Sequence, residues 1–171
     1  PRKGTGVPYV SHLLSVAALV LEHGGSEDQA IAALLHDAVE DQGGRPTAER
    51  IRERFGDLVA DIVDGCTDTD VSPKPPWRER KAAYLARVRG EPAHVRLVSA
   101  ADKLHNARTM VTDLRIHGPA LWERFNAGRD ETLWYLESLV AAFREAGSTP
   151  IVEELARTVA ELRLVSGNGH G

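Results

Sequence analysis

Apolar residues recur at three-to-four spacing along nearly the whole chain, and no stretch of alternating β-branched residues interrupts them. In "SHLLSVAALVLEHGG" the positions Leu13, Val16, Ala17, Val20 and Leu21 define one helical face, and Gly24-Gly25 ends it. "SEDQAIAALLHDAVED" predicts a second helix of about four turns, with Ser26 as N-cap, Gln29 completing a capping box and acidic residues in the first turn. A short helix runs from Thr47 to Gly56, and "DLVADIVDG" makes another. The prolines of "DTDVSPKPPW" predict a surface loop. Further helices are expected over 77–89, 92–115, 119–126, 129–146 and 150–165, set apart by Gly90, Gly118-Pro119, Gly128 and Gly147. The pattern predicts an all-α bundle of about eight helices in one domain over 1–165, with 166–171 as a disordered tail.

Two places break the apolar logic. The second helix ends in four ionisable side chains, His36, Asp37, Glu40 and Asp41. On an unbroken helix with His36 at 0°, Glu40 falls near about 40°, Asp37 near about 100° and Asp41 near about 140°, so all four share one side. Ala32 and Ala33, one turn earlier, are small enough to leave room above them. The competing explanation is a solvated helix end. The second place is "HVRLVSAADKLHNARTM", where Asp102 interrupts a run of core residues, and a carboxylate is costly to bury unless cations or donors receive it. Asn106 and Thr109 fall within about 40° of it on the same face. A partner such as Lys103 or an arginine from another helix would explain Asp102 without any function. His12, alone in the first turn of its helix, reads more readily as a satisfied core histidine than as a ligand.

Composition narrows the chemistry. A length of 171 residues with 42% apolar content supports one sizeable core, and a net charge of −4 gives no sign of a nucleic-acid surface. Cys66 is the only cysteine, so there is no internal disulfide or thiolate zinc cluster, as expected in a reducing cytoplasm. No apolar run approaches the roughly 18 to 20 residues of a membrane span, which predicts a soluble cytoplasmic protein. The start at Pro1, without methionine, points to a missing upstream segment. Together His12, His36, Asp37 and Asp102 form a mixed nitrogen and oxygen set suited to Mn²⁺, Fe²⁺ or Zn²⁺, manganese fitting better than calcium.

The pattern H…HD…D resembles the HD superfamily of metal-dependent phosphohydrolases. More narrowly, "RKGTGVPYVSHLLSVA", "AALLHDAVED", "FGDLVADIVDGCTD", "RERK" and "AADKLHNARTM", in that order, resemble the hydrolase domain of the RelA/SpoT alarmone enzymes and the small alarmone hydrolases. The resemblance runs from Arg2 to about Thr112, with "RDETL" near residue 131 a weaker continuation. Leu13 departs from the family's usual proline, and the helix that normally precedes "RK" is absent.

The resemblance implies an Mn²⁺-dependent enzyme that removes the 3′-pyrophosphate from guanosine 3′,5′-bis(diphosphate) or its 5′-triphosphate form, with no synthetase domain. His12, His36, Asp37 and Asp102 match the metal ligands, and Glu40 and Asp41 the catalytic acidic pair. Arg2, Lys3, Asn106 and Thr109 match positions around the nucleotide. Arg80, Lys81, Arg108 and Arg129 are weaker candidates for diphosphate contacts, for which a solvated helix face is an equal explanation. The expected partner is a small nucleotide, without nucleic acid or membrane, and the oligomeric state stays open. Two other readings also stay open: a phosphohydrolase of other nucleotides, such as adenosine alarmones or NADPH, and a metal- or nucleotide-binding sensor without catalysis.

Overall fold

The central element of the computed structural model, which describes residues 6–69 and 73–167, is a long helix with one stretch buried on every side. Within α7 (Ala93–His117), the residues Val98, Ser99, Ala100, Ala101 and Asp102 are consecutive and all buried. Five successive residues exceed one helical turn, so other elements must cover α7 all round. The covering helices are α1 (Val10–Glu22), α2 (Glu27–Leu35), α5 (Asp57–Cys66), α8 (Gly128–Ala146) and α9 (Pro150–Gly167). The remaining helices are α3 (Ala38–Asp41), α4 (Arg45–Phe55) and α6 (Trp77–Val88), with a 3-10 segment over Gly118–Arg124. The described residues contain no strand, and the fold is all-α. No helix of the described residues is long and apolar enough to cross a membrane.

Local signals act as the sequence predicts. The Ser26 side chain accepts from Gln29 N at 3.3 Å while Ser26 N donates to Gln29 Oε1 at 2.7 Å, so both halves of the capping box form. Gly65 lets α5 approach α7, since a Cβ there would sit 2.6 Å from Val95 Cγ1.

Three expectations are corrected. The helix predicted over 26–41 stops at Leu35: Asp37 has φ −98° and ψ −3°, and α3 starts afresh at Ala38. The segment predicted as a helix over 119–126 is a 3-10 helix of seven residues opened by Gly118 and Pro119. In the tail, α9 carries on through Ser166 and Gly167, the Ser166 hydroxyl donating to Leu162 O at 2.6 Å, and residues 168–171 lie outside the described set.

Candidate metal centre and its cavity

The break after Leu35 builds the site. The His36 ring folds back so that Nδ1 lies 2.7 Å from Ala33 O. A carbonyl only accepts, so Nδ1 carries the hydrogen, and in a neutral ring Nε2 presents a lone pair. That Nε2 is buried with no hydrogen-bond partner, 3.0 Å from Asp37 Oδ2 and 3.6 Å from Asp102 Oδ1. His12 arrives from α1, with Nε2 3.3 Å from Asp102 Oδ1 and 3.9 Å from Asp37 Oδ2. Donor atoms of His12, His36 and Asp102 lie within 4.8 Å of one another, and all three residues are buried.

Lone pairs aimed at carboxylate oxygens repel unless a positive charge lies among them. In the cation-free cluster that charge is a proton. Burial pushes the His36 pKa down, but the Asp102 and Asp37 carboxylates outweigh it and raise the pKa to about 10. The mixed imidazole and carboxylate set equally fits a divalent transition metal in place of that proton.

Each donor is held from behind. His12 Nδ1 meets His105 Nδ1 at 2.8 Å, so one ring donates and the other accepts. The Tyr9 hydroxyl donates to Asp37 Oδ2. Asp102 divides its oxygens: Lys103 Nζ lies 2.5 Å from Oδ2, and Asn106 Nδ2 donates to Oδ1 at 2.6 Å. The lysine partner considered from sequence is therefore real, yet Oδ1 still faces both histidines. Such backing contacts fix ring orientation and tautomer. His105, Tyr9 and Lys103 were not singled out as site residues from sequence. His105 had a legible signal, being three residues after Asp102 on the same helix.

The cluster opens into a cavity of about 170 Å³ lined by Glu40, Asp68, Lys81, Asn106 and Tyr135 among others. A neighbouring cavity of about 310 Å³ shares Lys81, Lys103, Asn106 and Tyr135, and adds Trp77, Met110 and Phe125. Glu40 takes Lys74 Nζ at 2.7 Å, from the proline-rich loop. Cys66 also lines the first cavity, but burial pushes its thiol pKa up to about 12, so it is inert as a nucleophile.

Other expected site residues are less central. Asp41 is exposed and does not line the cavity; partial burial, then the charges of Asp37 and Glu40, raise its pKa. Thr109 turns its hydroxyl to His105 O at 2.9 Å and lines neither cavity. Arg80 is bound to Asp68, which also takes Lys81 Nζ at 2.9 Å. Arg129, at the start of α8, lies 3.6 Å from Asp130 Oδ1 and lines neither cavity. Arg108 pairs with Glu154 on α9 and lines neither cavity. Arg2 and Lys3 lie outside the described residues.

The sequence profile of the HD domain family matches residues 1–133. The chain belongs to the HD domain family. A guanosine-3′,5′-bis(diphosphate) 3′-pyrophosphohydrolase of Xenopus tropicalis is 39% identical over 117 residues, covering 67% of this HD domain chain and 60% of its own length. The longer bacterial relatives are matched over only 13% to 20% of theirs. Among solved structures, lmo0812 of Listeria monocytogenes superposes with a TM-score of 0.79 at 33% identity, over 92% of this chain and 99% of that one. A metazoan ortholog of SpoT, described as hydrolysing ppGpp and acting in starvation responses, gives 0.74 at 26% identity, over 93% and 84%.

Proposed function

We propose that this chain is an Mn²⁺-dependent hydrolase that removes the 3′-pyrophosphate from guanosine 3′,5′-bis(diphosphate) or its 5′-triphosphate form, giving GDP or GTP. The observation that carries the metal-dependent part is the buried His36 Nε2, which has no hydrogen bond and faces two carboxylates beside a cavity with lysines in its wall. The substrate follows the relatives named for that reaction. His12, His36, Asp37 and Asp102 would hold the metal, which when bound supplies a Lewis acid and lowers the pKa of water near it.

The chain's own groups supply the rest. Tyr9, His105, Lys103 and Asn106, together with the Ala33 carbonyl behind His36, keep the four donors oriented. Glu40 reaches the cavity and takes the proton of the attacking water; Asp41, with its raised pKa, is a secondary proton carrier at the surface end of α3. Lys81 faces the cavity as a point charge for the diphosphate, and Asn106 borders the nucleotide. Arg2 and Lys3 hold the nucleotide in ground and transition states alike.

The test is purified protein with Mn²⁺ and a panel of phosphorylated nucleotides, products separated by chromatography. The expected outcome is intact pyrophosphate from the 3′-diphosphorylated guanosine nucleotides while GTP and ATP survive, because only a 3′ arm reaches the cluster. Orthophosphate as first product, or equally fast loss of GTP, would replace this reading with a general nucleotide phosphohydrolase. Binding without turnover would leave a sensor.

A further inference from the structure

The wall of the cavity holds a group that the reaction above does not use. Tyr135 on α8 is 6% exposed, and its hydroxyl is buried without a hydrogen-bond partner. The residue lines both the cluster cavity and its neighbour. Its ring is fenced in by Trp77, edge-on at 5.8 Å between centroids, and by Lys81 Nζ at 4.9 Å from the ring centre. Aromatic packing of this kind holds the ring, so the hydroxyl does not turn out to water. Buried hydroxyls in folded proteins have partners, and an exception that opens onto a cavity points to a ligand acceptor.

The surroundings say which acceptor. Lys81 and Lys103 line the same cavity, and Lys103 is committed to Asp102 Oδ2. Asp68 is flanked by both Arg80 and Lys81, two cations on one carboxylate, with Glu40 the further acid that acts on Lys81. Burial, and then the Lys103 charge, hold the Lys81 pKa below the ordinary lysine range, a strain that a bound anion relieves. The second Asp68 oxygen, Oδ1, is buried and unpartnered, an acceptor that a ligand's own hydroxyl can fill. Phosphate oxygens both accept from an O–H and neutralise an ammonium.

We propose that Tyr135 is a substrate-binding residue whose hydroxyl, beside the Lys81 ammonium, donates to a phosphate oxygen of the diphosphate group. The identity of the substrate rests on the hydrolase reading; the affinity for phosphate does not.

The experiment compares wild-type protein with Tyr135→Phe, both loaded with Mn²⁺ and freed of excess metal, using inorganic phosphate as the calorimetric probe and thermal melting as the control. Tyr135→Phe removes a donor that has no partner inside the protein, so its melting temperature is expected to equal or exceed that of the wild type. Phosphate should bind about tenfold more weakly, as for loss of one hydrogen bond to a charged group. With nucleotide substrate, KM should rise while kcat stays near the wild-type value. Equal phosphate affinity in the two proteins, or no phosphate binding by the wild type, overturns the proposal. So does a lowered melting temperature with affinity unchanged, which would make the hydroxyl structural. Tyr135-dependent phosphate binding in a protein that leaves the 3′-diphosphorylated nucleotide intact would overturn the hydrolase reading and keep this one.

Discussion

Charged side chains gather in two regions, and the two handle charge in opposite ways. Around α9, each arginine has a carboxylate partner at the surface: Arg115 with Glu161, Arg144 with Glu153, Arg163 with Glu137, and Arg108 with Glu154, which also lies 3.6 Å from His23 Nε2. Exposed pairs of this kind contribute about 0 to 1 kcal/mol each. At the other side of α7, the carboxylates of Asp37 and Asp102 meet two imidazoles whose inward nitrogens add no positive charge in their neutral form. Both ion and partner are already present in the first region. The second is complete only with a proton or a metal, and that incompleteness is what makes it the candidate site.

The sharpest way to break this contrast is to remove an inward nitrogen. His36→Ala should bring metal content and hydrolysis down to background while the helical circular dichroism persists, because the remaining donors cannot hold the ion alone. Retained metal and activity would mean that the cluster is merely a buried polar knot.

Next in size is a change that leaves the donors alone. Glu40→Gln should keep the metal and the fold and lose on the order of 10²-fold in turnover. Normal turnover in that variant would assign water activation elsewhere, with Asp41 the first residue to examine.

A smaller effect separates the regions by pH. In chelator-treated protein the folded pKa of His36, about 10, lies above the ordinary histidine value, so its stabilising proton is fully present below about pH 6.5 and is lost as pH rises towards 10. Denaturant melts between pH 7 and 9 should therefore show falling stability, by at most about 1.4 kcal/mol per pH unit. Metal-loaded protein should not show that decline, since the ion replaces the proton. A flat profile in both forms would contradict the proposed charge state.

The smallest effect belongs to α9. Arg108→Ala should leave turnover within about twofold and cost at most about 1 kcal/mol in a chemical melt. A large rise in KM would return Arg108 to the substrate.

Much of this architecture was legible in the chain. Ser26 and Gln29 announced a cap, Gly118 and Gly147 announced stops, and the buried run around Asp102 announced both a central helix and a charge needing an answer. What was illegible depended on distant partners. The turn at His36 and Asp37 goes with an inward ring on Ala33 O and with the Tyr9 hydroxyl, 28 residues from its acceptor Asp37. Arg108 shares a motif with Asn106, but it stands on an exposed side of α7 beside α9, and its partner Glu154 lies 46 residues on. His105 was hidden inside a stripe read through Asp102, Asn106 and Thr109, although its ring is the one that meets His12.

The most direct measurement is calorimetric titration of chelator-treated protein with Mn²⁺, with His36→Ala as control. The account predicts saturation at about one ion per chain in the wild type, with proton release near neutral pH, and no saturable binding in the variant. No saturable binding in the wild type, or equal binding in the two proteins, would contradict it.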